Sequence, residues 1–205
     1  MPAQSLTTDA FVLLKREPTD TFQTCTVFSA EHGTLMVLQR VAKKSAANTT
    51  PLDLFDEASL LLESSNQGRT WFVKEARLLT RHANLGRSYE TLLQASAFAA
   101  LIARNPVHEE SRAAVAALVR TALAAFAEGS RPDLVFFKSL YRFARDEGYP
   151  LKQQWFPALP VADRDAVAAL LNRPLAGQTA PPATVARLTL RLEEYLRGHT
   201  EILLD

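Results

Sequence analysis

The sequence predicts an α+β fold in which a small N-terminal β-barrel is followed by an all-α helical domain. Two changes along the chain lead to this prediction. Up to about Thr80 the apolar runs are short and strand-like, whereas from Ser88 onward apolar residues recur with the 3.6-residue period of a helix and alanine becomes frequent. We therefore expect a barrel domain over residues 1–82 and a helical domain over residues 83–205.

Five strand-like segments precede this boundary. Their apolar, β-branched and aromatic residues are bounded by polar turns, and the segments cover residues 11–14, 22–29, 34–41, 60–63 and 71–76. In the third segment Leu35 and Val37 point to one side and Met36 and Leu38 to the other, so both of its faces are expected to be buried. Five short strands without helical crossovers are typical of a small barrel such as an OB-fold.

The helical half contains four recognisable segments. Apolar residues at helical spacing over 115–126 predict a helix that follows Glu109 and Glu110 and ends at Gly129. A second helix is expected to begin at Pro132 and end at Gly148, because proline suits a first helical turn and glycine a helix end. A short helix over 163–171, a proline-containing connection over 172–183 and a last amphipathic helix over 185–196 complete the chain.

Composition limits the classes of partner. The 22 acidic and 23 basic residues nearly cancel, so any site for a polyanion must be a local patch. A single cysteine, Cys25, excludes an internal disulfide and a cysteine-based zinc site. No secretory signal pattern and no apolar run of about 20 residues is present, from which we expect a cytoplasmic protein without a membrane partner.

The sequence offers no catalytic constellation. The seven glycines form no phosphate-binding motif, and the four histidines lack the spacing of metal ligands. Cys25 lies in a strand pattern without a cationic neighbour and is interpreted as a packed thiol. We therefore expect a protein that is not an enzyme and that has no cofactor or metal.

A first cationic cluster marks a candidate nucleic-acid site. It consists of Arg40, Lys43 and Lys44 at the end of the third strand segment, and Lys15 and Arg16 are candidates to extend it. Cations of this kind pair with phosphates while exposed rings stack on bases. The alternative, which the sequence leaves open, is a solvated edge strand protected by lysines.

Aromatic residues are the second component of such a site. Tyr89, Trp71, Phe72 and Trp155 are candidates for stacking on bases, although rings in these patterns more often belong to a core. Trp155 lies among glutamines and prolines and is expected to be the most exposed of the four.

A second cationic cluster lies on the helix that begins at Pro132. Lys138, Arg142 and Arg145 share one stripe at i, i+4 and i+7, and Arg131 stands just before the helix. A basic stripe beside apolar groups suits a nucleic-acid backbone or an acidic peptide tail. The alternative is an ordinary solvated helix face with Asp146 nearby.

A third group of cations, a pair of arginines on the last helix, is assigned no function. Arg187 and Arg191 repeat the i, i+4 spacing on the last helix, but Glu193 and Glu194 offset their charge. We interpret them as part of a solvated helix face.

Three segments resemble the RecO family of recombination mediators. Residues 10–45 read AFVLLKREPTDTFQTCTVFSAEHGTLMVLQRVAKKS, residues 71–102 read WFVKEARLLTRHANLGRSYETLLQASAFAALI, and residues 187–205 read RLTLRLEEYLRGHTEILLD. In the first segment Gly33, Arg40, Lys43 and Lys44 match the family layout of a turn, a strand and a basic exit. The three segments together cover about half of the chain in the expected order.

This resemblance implies a non-enzymatic role in DNA repair and recombination. Family members have an N-terminal OB-fold and a helical C-terminal domain, bind single- and double-stranded DNA, anneal complementary strands, and work with RecR and the single-stranded-DNA-binding protein SSB. On this basis Lys138 and Arg142 are candidates to receive the acidic tail of SSB. Many members carry a four-cysteine zinc module where this chain has GYPLKQQWFPALP, so no zinc is expected. An interaction adaptor that has lost most DNA binding remains the alternative.

Overall fold

The N-terminal region is a closed five-stranded barrel. The computed structural model describes residues 4–41, 50–64, 69–129 and 131–204, and its strands are β1 (Gln4–Lys15), β2 (Phe22–Ser29), β3 (Gly33–Arg40), β4 (Glu57–Ser64) and β5 (Trp71–Thr80). The strand order around the barrel is β1-β2-β3-β5-β4; β3 and β5 are parallel, and the other pairs are antiparallel. This is an OB-fold-like barrel, and the predicted fold class is confirmed.

Every second side chain along a strand points into the barrel, and these side chains fill its interior. Its interior contains Cys25 and Val27 from β2, Val37 from β3, Leu60 from β4 and Trp71 from β5. Register shifts in the β1–β2 and β4–β5 pairings add the local bends that a sheet needs in order to close on itself.

Cys25 is one of these interior residues. Its side chain is fully buried, and burial raises the pKa of the thiol from 9.0 to about 11, with the charge of Lys15 acting in the opposite direction. The thiol therefore stays protonated at neutral pH and acts as a small apolar side chain.

Strand β3 differs from the expectation that both of its faces are buried. Val37 lies in the barrel interior, but Met36 is 41% exposed and Leu38 is only half-buried. The expectation is wrong because only one side of a barrel strand faces the interior, so apolar side chains of the other parity lie outside the barrel core. The outward apolar residues of β3 therefore belong to an accessible surface.

The β2–β3 hairpin requires glycine at Gly33. This residue has φ 69°, a region that side chains other than glycine rarely adopt. A Cβ there would lie 3.0 Å from Nε of Arg112, whose guanidinium also donates to the carbonyl oxygen of Glu31 at 3.2 Å. The predicted turn at 31–33 is thus fixed both by its backbone conformation and by the arginine packed against it.

The chain divides into two compact units. The first comprises Met1–Ala83 with Ile102–Val119, and the second comprises Asn84–Leu101 with Arg120–Asp205. The helices are α1 (Tyr89–Arg104), α2 (Arg112–Glu128), α3 (Pro132–Asp146), the short α4 (Phe156–Ala158), α5 (Val161–Asn172) and α6 (Pro182–His199). Across the described parts of the chain, no helix has both the length and the apolarity that crossing a membrane requires.

Helix α3 begins at the predicted Pro132 and ends at Asp146, two residues before the predicted Gly148. Pro132 occupies its first turn, and Gly148 adopts φ 89° just after its end. The amide of Tyr149 donates to the carbonyl oxygen of Ala144 and that of Gly148 to the carbonyl oxygen of Arg145, which is the Schellman arrangement of a helix C-terminus.

The core of the second unit is built on α3. This helix contacts α5 and α6, and the fully buried residues of the three helices include Leu134, Phe137, Leu140, Val167, Leu170, Val185, Leu188, Leu192 and Leu196. Their spacing is that of amphipathic helices, as the sequence predicts.

Trp155 is buried, which contradicts the expectation that it is exposed. Its side chain is only 3% accessible, and its ring packs 6.1 Å from the ring of Tyr141. The polar neighbours suggested exposure, but a single π-helical turn over Leu151–Trp155 directs the indole inward and leaves the glutamines outside. Trp155 is therefore no candidate for stacking on a base.

Candidate nucleic-acid interface

One side of the barrel carries an outward row of apolar, hydroxyl and cationic side chains. Strands β2 and β3 pair in the register Phe22 with Arg40, Thr24 with Leu38 and Thr26 with Met36. Since the residues between them face the interior, these six side chains point outward, and Phe72 joins them because β5 pairs with β3 at Leu38. We call the set Phe22, Thr24, Thr26, Met36, Leu38, Arg40 and Phe72 the β2–β3 outer face.

An aromatic pair with a cation lies at one end of this face. The rings of Phe22 and Phe72 are 5.6 Å apart between centroids at an interplanar angle of 65°, an edge-to-face contact. Cζ of Arg40 lies 5.7 Å from the centroid of the Phe22 ring, within the range of a cation–π interaction. Both rings are half-buried and the arginine is exposed.

Arg40 and Arg16 are placed at opposite edges of β2. Arg40 opposes Phe22 from the β3 side, and the backbone amide of Arg16 donates to the carbonyl oxygen of Thr24 at 3.0 Å from the β1 side. Among the described residues, neither guanidinium is paired with a carboxylate. The two positive charges beside the β2–β3 outer face are therefore not neutralised by this part of the protein.

Lys15 has a different environment. Its Nζ lies 2.9 Å from Oδ1 of Asp53 and donates to the carbonyl oxygen of Leu52 at 3.1 Å. The hydrogen bond from Lys15 lowers the pKa of the Asp53 carboxyl against a smaller opposing effect of burial, so this carboxyl is ionised at neutral pH. Lys15 ties the segment before β4 to β1, and its charge is offset. The other two predicted cations, Lys43 and Lys44, lie outside the described residues.

The cations predicted on the helical half have internal partners. Arg131 makes two hydrogen bonds to the Asp133 carboxylate, at 2.9 and 2.8 Å, and these raise the pKa of the guanidinium. Nζ of Lys138 donates to the carbonyl oxygen of Arg173 at 2.7 Å, just beyond the last residue of α5. Burial lowers the pKa of this amine, which caps the negative end of the α5 dipole.

Arg142 and Arg145 share one carboxylate. Nε of Arg142 lies 3.4 Å from Oδ2 of Asp146, and the Arg145 guanidinium donates to Oδ1 at 2.8 and 2.6 Å. Their side chains remain 46% and 55% exposed, whereas that of Asp146 is 18% exposed. The predicted stripe is therefore reduced to two accessible guanidiniums whose combined charge exceeds that of their shared partner.

The remaining ring candidates have separate locations. Trp71 is 7% exposed and belongs to the barrel interior, while Tyr89 is 81% exposed at the start of α1. Of the four rings predicted from sequence, Phe72 alone lies on the β2–β3 outer face. Sequence reasoning missed Phe22, although its opposite parity to the interior residues Cys25 and Val27 was the signal that could have placed it outward.

The described residues contain no cluster of three or more histidine, cysteine, aspartate or glutamate side chains arranged to hold a metal ion.

A scan of protein-family models and a search of curated proteins found no match to this chain. Among the described residues, the β2–β3 outer face is the feature that bears on function. Chemically, it can pair with phosphates and stack against planar rings.

Proposed function

We propose that this protein is a RecO-like recombination mediator that binds and anneals single-stranded DNA and works with SSB and RecR. The observation that carries the proposal is the closed barrel in the order β1-β2-β3-β5-β4, with two arginines flanking the outer face of β2. In OB-folds the face of strands 2 and 3 is the usual site for oligonucleotides. The helical region that follows the barrel is the second feature in common with RecO.

The electrostatic basis of the proposal is local. The net charge of +1 creates no long-range field, so DNA binding depends on cations that remain available at the surface. Arg40 and Arg16 meet this condition, and Lys43 and Lys44 follow β3 closely in sequence. Contacts to phosphates are independent of base identity, which suits a mediator that must act on strands of any sequence.

Neutralising the two arginines is expected to weaken single-strand binding and to reduce its salt dependence. Log K falls linearly with log salt concentration in proportion to the number of phosphates paired, so Arg16→Met and Arg40→Met should each lower the slope by about one. The measurement is a titration of labelled single-stranded DNA at several salt concentrations, repeated with duplex DNA and with an annealing assay.

Arg77→Met is the matched control for these variants. Arg77 is an exposed arginine on β5 that pairs with Ser59 of β4, away from the β2–β3 pairing. Its replacement should leave the slope unchanged. Equal effects of all three substitutions would contradict a site on the outer face, and a wild-type protein without single-strand affinity at low salt would favour the interaction adaptor.

The adaptor is the second candidate because the structure offsets several of the predicted cations. Lys15, Arg131, Lys138 and the Arg142–Arg145 pair all have internal partners. An adaptor would retain binding to RecR or SSB while showing no salt-dependent binding to DNA.

The acidic tail of SSB is expected to require Arg142 and Arg145. These side chains are the most accessible cations of α3, and the carboxylate that they share neutralises only one of them. The double variant Arg142→Glu/Arg145→Glu should reduce binding of a labelled SSB tail peptide at least tenfold, since a charge-assisted bidentate contact is replaced by repulsion. Fluorescence polarisation provides the measurement.

A control variant and the choice of residues make this test specific. Arg164→Glu, at a half-buried position of α5, changes the net charge of the same unit and should have little effect. Lys138 is left in place because its replacement would also remove the cap of α5. An unchanged tail affinity in the double variant would remove α3 as the tail site.

A further inference from the structure

We infer that Phe22 and Phe72 form a stacking site for unpaired nucleobases, so that the barrel prefers single strands to duplexes. This inference rests on the proposed function, because it assigns the ligand class recognised by the same outer face. The phosphate contacts of Arg16 and Arg40 do not distinguish a single strand from a duplex, whereas a ring that contacts the face of a base does.

The position of the two rings is not explained by the barrel core. The interior is filled by aliphatic residues and Trp71, and neither Phe22 nor Phe72 is part of that cluster. Instead the rings meet each other on the outside at 5.6 Å, with the half-buried Leu38 between their strands. Both rings are half-buried and keep part of their area accessible, and an accessible aromatic patch is typical of surfaces that bind planar or apolar groups.

The positive charge of Arg40 beside the Phe22 ring favours a nucleic acid as the ligand of this site. Its guanidinium is 5.7 Å from the Phe22 centroid and is not paired with any carboxylate among the residues described. A nucleotide presents a planar base and an anionic phosphate at neighbouring positions, which matches a ring beside an unneutralised arginine. An apolar peptide would use the rings but not the charge.

The accessibility of the base faces accounts for the preference for single strands over duplexes. In a duplex each base is stacked on its neighbours, and its faces are inaccessible to a side chain. In a single strand the bases can turn toward an aromatic surface, and the stacking of one base is worth about one to two orders of magnitude in affinity.

The experiment compares two polymers with the same phosphates. A labelled single-stranded oligonucleotide and an abasic oligonucleotide of equal length are titrated at one salt concentration with the wild type, Phe22→Leu and Phe72→Leu. We expect the wild type to bind the base-containing strand about tenfold more tightly, and each leucine variant to lose most of this difference while retaining its affinity for the abasic strand and its salt slope. Phe156→Leu, a half-buried ring on α4, is the matched control and should behave as the wild type.

Each outcome has a distinct meaning. Equal affinity of the wild type for the two polymers would overturn the inference and leave the proposed function intact, because the phosphates alone would then bind. Full affinity of both leucine variants for the base-containing strand would overturn it as well. If the wild type binds neither polymer, the proposed function fails together with the inference. Should a leucine variant be unfolded in a melting experiment, Phe72→Tyr, which keeps the ring, is expected to bind as the wild type, and a tenfold loss in that variant would count against stacking.

Discussion

Replacing Asp56 by alanine is expected to lower the free energy of unfolding of the barrel unit by about 2–3 kcal/mol. The Asp56 carboxylate is only 1% exposed. Its Oδ1 accepts a hydrogen bond from Nε of Arg81 at 2.8 Å, and its Oδ2 accepts one from the backbone amide of Asp53 at 2.7 Å. Alanine removes both acceptors, leaving a backbone amide and a guanidinium without them. Arg81 is 42% exposed and can be hydrated, which keeps the loss below that of a fully buried pair.

We expect this loss of stability to affect closure of the barrel, because the backbone of Asp56 is hydrogen-bonded to Val12 of β1. The amide of Val12 donates to the carbonyl oxygen of Asp56 at 2.8 Å, and the amide of Phe55 donates to the carbonyl oxygen of Val12 at 2.9 Å. Phe55 adopts φ 68°, which is costly for a residue other than glycine. A strained residue persists only where its surroundings hold it, and the Asp56 contacts hold the segment that leads into β4.

Asp53→Ala is the control for this prediction. Asp53 lies three residues earlier, is also a partner of a cation, but has a side chain that is 64% exposed. A surface ion pair of this kind contributes about 0–1 kcal/mol, so the control should be mild. Urea unfolding followed by Trp71 fluorescence in a Trp155→Phe background reports on the barrel unit, because the sequence has two tryptophans. Equal losses in the two variants would contradict the role assigned to Asp56.

The barrel could be predicted because its signals are local. Alternation in residues 22–29, the turn at Gly33 and the change of period at Ser88 are each contained within a few residues, and each is reproduced in the structure. The outer face could not be predicted in the same way. Phe22, Arg40 and Phe72 are brought together by pairing among three strands, and that pairing depends on the register and closure of the whole sheet.

The interaction partners of the cationic side chains also could not be predicted from their local spacing in the sequence. Helical spacing places Lys138 in one stripe with residues four and seven positions away, yet its hydrogen bond is to the carbonyl oxygen of Arg173. In the sequence the charges of Arg187 and Arg191 are offset by glutamates of the same helix, yet the two side chains approach Asp163 of α5. Long flexible side chains reach between elements, and packing of the elements decides which groups they meet.

Removing both arginines that face Asp163 is expected to destabilise the second unit by about 3 kcal/mol. Asp163 lies in the first turn of α5 with a side chain that is 4% exposed. Arg187 hydrogen-bonds to its Oδ1, and Nε of Arg191, one turn further along α6, lies 3.3 Å from its Oδ2 without hydrogen-bond geometry. The double variant Arg187→Met/Arg191→Met keeps most of the side-chain length but leaves a buried carboxylate without a cation.

Asp163→Leu should cost less, about 1 kcal/mol, although it disrupts the same ion pairs. The two guanidiniums are 48% and 41% exposed, and without the carboxylate they can turn into solvent. Combining all three substitutions should restore most of the stability lost in the double variant, because no buried charge remains and the replacements are apolar. The coupling energy of this cycle is therefore expected to be at least about 2 kcal/mol.

The cycle is measured by denaturant unfolding with Trp155 as the reporter in a Trp71→Phe background. Trp155 is buried within the second unit, so its emission follows the unit that contains α5 and α6. Arg197→Met, which alters an i, i+4 pair with Glu193 at 3.8 Å on the same helix, is the control and should change stability by less than about 0.5 kcal/mol. Additive losses in the triple variant would show that the arginines contribute through their own packing. A non-additive recovery is expected instead, since the cost of the double variant comes from the charge that it leaves behind.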